Sequence, residues 1–271
     1  MRTLQRSGGK IAALLCASLL LNTALATPAL ATPAEALNCL ARAYPDHLLA
    51  PTEQTFILSR EGQRYEFDPK TVYRGYEDEL EAAGLYSQLR QRYPMGVMAR
   101  TPDIDSDPGR LRHTPLFLDM YGSSAKAVQN NLVPVYWAPC HCNLDFSKVN
   151  GAATALAAVG EAIEKAGLSN YVAQPLGTFN WRKIAGTNRL SMHAFGIALD
   201  FKLPGHLGRY WRWEHSKAIR FPAGIFQDPG LNQVVDIFEA HGFIWGGKWW
   251  HYDSIHFEYR PELTTYRCAQ G

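Results

Sequence analysis

Two short stretches in the C-terminal half of the chain contain the residue types best suited to metal chemistry. They cover residues 191–200 and 245–258 and together supply His193, Asp200 and His256. A hydrolytic zinc site needs three imidazole or carboxylate ligands and leaves a fourth position open. We therefore predict that these three side chains hold one zinc ion.

A further carboxylate, that of Asp253, stands three residues before His256. Zinc lowers the pKa of a bound water from about 16 to about 7, and a carboxylate beside it can take the proton. We predict that Asp253 is this general base and passes the proton to the leaving amine of a cleaved peptide. Glu258 shares a strand face with His256, so it either orients that histidine from behind or is a surface carboxylate.

The elements around these residues can be predicted from the local pattern. Gly196 and the alternating apolar residues after it predict a turn that leads into a strand over 197–203. An odd spacing directs side chains to opposite faces of a strand, so His193 must lie in the turn to share a site with Asp200. Alternation over 255–260 predicts a final strand with a polar face.

The rest of the chain mixes extended and helical patterns. Alternation on either side of a glycine turn predicts a hairpin over 55–67. Helix formers predict a helix over 78–93, and helical spacing of apolar residues predicts two more over 152–166 and 231–240. This order predicts an α+β fold, in which helices flank a mainly antiparallel sheet in a single compact domain with an N-terminal extension.

The N-terminus predicts export. Residues 1–26 combine three basic side chains, a short apolar run and small residues suited to cleavage, as in a secretory signal peptide. Residues 27–36 are predicted to be a flexible tail, 37–150 an N-terminal extension or lobe, and 151–271 the catalytic domain. No stretch reaches the roughly 18 apolar residues of a membrane span, so we expect a periplasmic or secreted protein without one.

The charge balance argues against a nucleic-acid partner. The chain has 27 basic and 25 acidic residues, and the predicted signal peptide contains three of the basic ones. The exported protein is therefore close to neutral, and no attraction to polyanions follows.

An acidic stretch contains Asp103, Asp105 and Asp107, and alternating carboxylates can wrap a calcium ion. Pro108 occupies the position where the tight turn needs glycine, and Thr114 stands where a bidentate glutamate belongs. We interpret the stretch as a solvated acidic loop.

Four cysteines follow the predicted signal peptide, namely Cys39, Cys140, Cys142 and Cys268. An even number in an exported chain predicts two disulfides. A bridge from Cys140 to Cys142 would close a very tight ring, so we expect each to pair with Cys39 or Cys268, in either order. A metal site built on Cys140, His141 and Cys142 is disfavoured, because thiolates one residue apart chelate one tetrahedral ion poorly.

The pattern S-x-H-x-x-G-x-A-x-D followed by D-x-x-H-F-E resembles the zinc D,D-peptidase and L-alanyl-D-glutamate peptidase family, which includes the VanY-like murein peptidases. The resemblance implies that His193, Asp200 and His256 are zinc ligands and that Asp253 is the base. It covers roughly residues 177–263 and leaves the N-terminal half unexplained. The aspartate of D-x-x-H and the W-G-G before it resemble the L-alanyl-D-glutamate branch of the family more closely than the carboxypeptidases.

Further candidates surround this pattern. Arg182 lies in an upstream stretch that also looks like the family, and its guanidinium suits a scissile carbonyl or a substrate carboxylate. Arg189 is the alternative cation, and either arginine also fits an ordinary surface role. Ser191 is a candidate substrate contact or a cap of the turn, and Trp249 is a candidate wall of the substrate groove.

These features predict an exported zinc metallopeptidase that hydrolyses peptide bonds in peptidoglycan stem peptides, with an L-alanyl-D-glutamate endopeptidase preferred. The alternative is a D-alanyl-D-alanine carboxypeptidase, which a positively charged pocket around a free carboxylate would favour over an open groove. A non-catalytic, zinc-containing cell-wall binding module is the alternative from another class. Asp253 argues against such a module, because a structural zinc site needs no base.

Overall fold

A computed structural model describes residues 32–207 and 223–264. The predicted signal peptide, residues 27–31 of the predicted tail and Cys268 lie outside these ranges. The helices are α1 (Pro33–Ala43), α2 (Tyr76–Ala82), α3 (Leu85–Arg90), α4 (Thr114–Tyr121), α5 (Ala125–Gln129), α6 (Ala152–Lys165), α7 (Pro229–Ala240) and α8 (Pro261–Thr264). The strands are β1 (Phe56–Leu58), β2 (Arg64–Glu66), β3 (Leu132–Trp137), β4 (Cys142–Ser147), β5 (Pro175–Gly177), β6 (Ala198–Phe201), β7 (Phe243–Trp245) and β8 (His256–Tyr259).

The fold is α+β with antiparallel sheets, as predicted. Its central sheet has the order β5-β6-β8-β7, and two separate hairpins are formed by β1 with β2 and by β3 with β4. In the central sheet Asp200 on β6 pairs directly with His256 on β8, and Ala198 pairs with Glu258. The sheet register therefore sets the positions of two of the predicted metal ligands. In the described ranges, every helix is too short or too polar to cross a membrane.

Most predicted elements occur at the expected places, with two corrections. The hairpin over 55–67 is confirmed by β1 and β2, and the helices over 152–166 and 231–240 by α6 and α7. The single helix predicted over 78–93 is wrong: α2 and α3 are separate, because Ala83 has an extended ψ of 124° and Gly84 follows it.

The second correction concerns the predicted tail. Residues 33–36 form the first turn of α1 rather than part of a flexible segment. Thr32 and Glu35 cap this turn reciprocally, since the Thr32 hydroxyl accepts from the Glu35 amide and the Glu35 carboxylate accepts from the Thr32 amide.

The predicted disulfide pairing is also wrong for two cysteines. Cys140 is bonded to Cys142, with their Cα atoms 5.3 Å apart. The residue between them, His141, adopts a left-handed conformation with φ 53°, which turns the chain back between β3 and β4. This conformation brings the two Cα atoms within the normal range for a disulfide.

The N-terminal segment packs directly against the turn that holds His193. The rings of Phe117 and Tyr121 on α4 lie 5.8 Å and 6.2 Å from the ring of Phe195. All three side chains are fully buried in one hydrophobic core that the N-terminal helices share with the central sheet. The division proposed at residues 150 and 151 stays a prediction.

Candidate metal centre

Two neighbouring strands and one turn position the predicted ligands. His193 lies on a 3-10 turn over Met192–Phe195, as the odd spacing to Asp200 required, and the hydroxyl of Ser191 accepts a hydrogen bond from the His193 amide at 3.4 Å. Gly196 ends the turn with φ 66°, and a Cβ there would come within 2.4 Å of the Leu132 side chain. Glycine adopts this left-handed conformation without strain, so it favours the passage of the chain from the turn into β6.

The structure brings the three predicted ligands together. One donor atom from each of His193, Asp200 and His256 lies within 4.8 Å of the other two. Asp200 Oδ1 is 3.3 Å from His193 Nε2 and 2.9 Å from His256 Nδ1. Two imidazoles and one carboxylate are the donor set of a catalytic zinc site, so these residues fit the ion that the sequence predicts.

The ring nitrogens that face away from the centre also have partners. His193 Nδ1 lies 3.0 Å from the Thr178 carbonyl oxygen, and His256 Nε2 lies 3.0 Å from Glu258 Oε2. Such contacts fix the orientation of a ligating imidazole and its tautomer. Burial would lower the pKa of His256, but hydrogen bonds to Asp200 and Glu258 outweigh it and raise that pKa to about 10.

Glu258 belongs to a buried chain of charges that reaches the N-terminal helix. Arg260 donates from Nη1 to Glu258 at 2.9 Å and from Nε to Glu262 at 2.7 Å. Glu262 also accepts from the Tyr44 hydroxyl at 2.5 Å and from the Gln88 amide at 3.1 Å. The predicted polar face of the last strand is therefore not solvated, and Glu258 is only 1% exposed.

Asp253 lines the same cavity, of about 410 Å³, as the three predicted ligands. Its Oδ1 atom is buried without a hydrogen-bond partner in the described ranges. Burial raises the pKa of this carboxyl group above its usual value, against the opposing effect of His256. A carboxylate with an unused oxygen beside the centre has the position and chemistry of a general base.

The remaining predicted residues have different surroundings. Arg182 lines the cavity but is largely exposed, while Arg189 is buried and its Nε lies 3.5 Å from Glu81 Oε1. Ser191 both caps the turn and lines the cavity. Trp249 also lines it, with its ring 5.7 Å from the His256 ring and its indole N–H donating to a backbone carbonyl.

The acidic loop is only partly solvated, which corrects the sequence interpretation. Asp107 is fully buried, and its carboxylate accepts from the His251 amide at 2.8 Å and lies 2.6 Å from the His251 ring nitrogen. The Tyr76 hydroxyl donates to the same carboxylate at 2.5 Å. The loop thus holds the segment just before Asp253 in place.

Two arginines that the sequence did not single out also line the cavity. They are Arg110 and Arg112, which are 8% and 5% exposed. In the sequence they look like ordinary surface arginines, some 80 residues from the first ligand. Gly109, just before Arg110, adopts a φ of 102°, and this turn is not apparent from the sequence alone.

The fold and the site together define a candidate metallopeptidase of α+β class. Residues 185–259 match the model of a family described as D-alanyl-D-alanine carboxypeptidase. This match confirms the resemblance to the VanY-like peptidases that the two motifs predicted, and it supports a carboxypeptidase-like peptidase. No curated protein and no solved structure shows significant similarity to the chain.

Proposed function

We propose that this protein is an exported zinc peptidase that hydrolyses peptide bonds in peptidoglycan stem peptides. The observation that carries the proposal is the convergence of three donor atoms and the Asp253 carboxylate on one cavity. Bound zinc would polarise the scissile carbonyl and acidify a water molecule. His193, Asp200 and His256 would hold the ion, and Asp253 would take a proton from the attacking water and deliver it to the leaving amine.

Two bonds are candidates for cleavage. The W-G-G lead-in and Asp253 resemble L-alanyl-D-glutamate endopeptidases, and the description of the matched family favours the D-alanyl-D-alanine bond. Two buried arginines, Arg110 and Arg112, line the cavity, which adds support for a substrate with a free carboxylate near the cleaved bond.

A non-catalytic zinc module is the less favoured alternative. In such a module, a buried carboxylate oxygen without a hydrogen-bond partner would destabilise the fold and contribute nothing in return. The Oδ1 atom of Asp253 is in this position, and its side chain faces the cavity. A catalytic base explains why the chain tolerates that cost.

The test is digestion of purified peptidoglycan by the mature, zinc-loaded protein, with mass spectrometry of the released fragments. New termini at either candidate bond support the proposal and identify the bond. Asp253→Ala and the isosteric Asp253→Asn should retain zinc and lose cleavage, whereas Asp46→Ala, at an exposed position, should match the wild type. Intact stem peptides after digestion by a zinc-loaded wild type would contradict the proposal.

A further inference from the structure

The N-terminal segment supplies one charged wall of the candidate catalytic cavity. The guanidinium carbon of Arg110 lies 4.4 Å from the centre of the Trp249 ring, and its Nη2 donates to the His251 carbonyl at 3.0 Å. The Trp249 ring in turn contacts the ring of His256. Arg110 is therefore held one side chain away from the candidate metal centre.

The charges around the cavity do not balance once zinc is bound. Among the residues that the structure describes, the ionic side chains that line it are three carboxylates and three guanidinium groups, namely Asp200, Asp253, Glu258, Arg110, Arg112 and Arg182. These six charges cancel, so a zinc dication would give this described part of the lining a net positive charge. An anionic group on the substrate would be attracted into it.

Arg112 differs from Arg260, a further buried arginine near the centre. Arg260 makes hydrogen bonds to the carboxylates of both Glu258 and Glu262. Arg112 donates from Nη2 to the Leu190 carbonyl, and burial lowers its pKa to about 9, with only Glu258 acting in the opposite direction. A guanidinium desolvated to this degree would be stabilised by a carboxylate entering the cavity.

We propose that Arg110 and Arg112 bind the free α-carboxylate of the substrate residue that follows the scissile bond, an assignment that rests on the proposed function. Both candidate substrates present this group. A terminal D-alanine has a free α-carboxylate, and so does a D-glutamate that continues the stem through its γ-carboxyl group. A planar guanidinium fork matches a carboxylate better than a point charge does.

The test compares matched peptides that differ only in this carboxylate. One pair ends in D-alanyl-D-alanine as the free acid or the C-terminal amide, and the other contains L-alanyl-γ-D-glutamate as the α-acid or the α-amide. We expect kcat/KM of the wild type to be about 100-fold or more higher for the acid of the pair that it cleaves. The pair that responds identifies the source of the carboxylate.

Substitutions then assign the preference to the two arginines. Arg112→Gln should reduce the ratio of kcat/KM for the acid to that for the amide to below about 10-fold, because kcat/KM falls for the acid and stays the same for the amide. Arg112→Lys keeps the charge and loses the guanidinium fork, so its ratio should lie between those of Arg112→Gln and the wild type. Arg110→Gln provides the same test if Arg112→Gln does not fold. Arg100→Gln is the matched control, because Arg100 is exposed and pairs with Asp103 outside the cavity. Zinc content and melting temperature verify that each variant is intact.

Equilibrium binding separates failure of this inference from failure of the proposed function. If the wild type cleaves acid and amide equally well, the inference is overturned and the peptidase assignment stands. If it cleaves neither, calorimetry on zinc-loaded Asp253→Ala measures the affinities for the acid and the amide peptides directly. Tighter binding of the acid that is lost on adding Arg112→Gln supports the inference without the function, and equal binding of acid and amide overturns both.

Discussion

Two groups of residues that line the candidate cavity come from regions of the chain that differ in how much their sequences reveal. The central sheet, the turn before β6 and the loop before β8 contribute His193, Asp200, Asp253 and His256, which lie in two motifs within a span of 64 residues. The N-terminal segment contributes Arg110 and Arg112, which no motif marks. Under the proposed function, the residues that would break the bond lie in recognisable motifs, whereas the residues that would select the substrate come from a segment without one.

The largest expected effect comes from breaking the donor set. His193→Ala removes one of three ligands, so zinc affinity should fall by more than the roughly 100-fold loss seen for outer partners, and peptidase activity should disappear. Metal content after dialysis measures the loss. His206→Ala is the matched control, because His206 is exposed and pairs with Asp228. Stoichiometric zinc in His193→Ala would show that His193 is not a zinc ligand.

A smaller effect is expected behind the metal. Glu258→Gln retains a hydrogen-bond acceptor for His256 and removes the charge between that ring and Arg260. Zinc affinity should fall by about 10–100-fold, as is usual for outer partners of a ligating histidine. Competition with a chromogenic chelator measures this change. An unchanged affinity would mean that Glu258 serves the fold alone.

The contact between the N-terminal loop and the segment before Asp253 should depend on pH. Burial raises the pKa of Asp107, but the hydrogen bond to His251 and the charge of Arg110 outweigh it, so this pKa is lowered from 3.8. The stabilisation from Asp107 is therefore complete above about pH 4 and is lost as the pH falls further. Urea unfolding should show a smaller acid-induced loss of stability in Asp107→Asn than in the wild type. Equal losses would contradict the assignment.

The smallest effect is expected where the buried chain of charges reaches α1. Tyr44→Phe removes one donor to Glu262, which retains Arg260 and Gln88 as partners. The free energy of unfolding should fall by about 1 kcal/mol, with little change in zinc affinity. Thermal and chemical unfolding measure the first, and chelator competition measures the second. A large loss of zinc affinity would show that the metal centre depends on this distant contact.

The sequence was sufficient for the parts of the site that chemistry constrains. Metal ligands must be of a few residue types, and the odd spacing from His193 to Asp200 correctly required a turn before a strand. The main property that the sequence did not reveal was the burial of polar side chains. The alternation around Glu258 and the acidic loop around Asp107 both suggested solvent, because whether a polar face meets water depends on segments distant in the chain.

The disulfide and the arginines illustrate the same limit. A left-handed His141 makes the Cys140–Cys142 bridge feasible, and this backbone conformation is not encoded in the spacing of the cysteines. Arg110 and Arg112 reach the cavity through the turn at Gly109, which depends on packing against the last strand. Position in the fold, rather than residue type, gives these residues their proposed role.

The most direct test of the account is a crystal structure of the zinc-soaked protein with an anomalous difference map at the zinc edge. We predict one strong peak bound by His193 Nε2, Asp200 Oδ1 and His256 Nδ1, with the Asp253 carboxylate in the same cavity and not bound to the ion. A peak elsewhere with none at this centre, or one that recruits Asp253 as a ligand, would contradict the account.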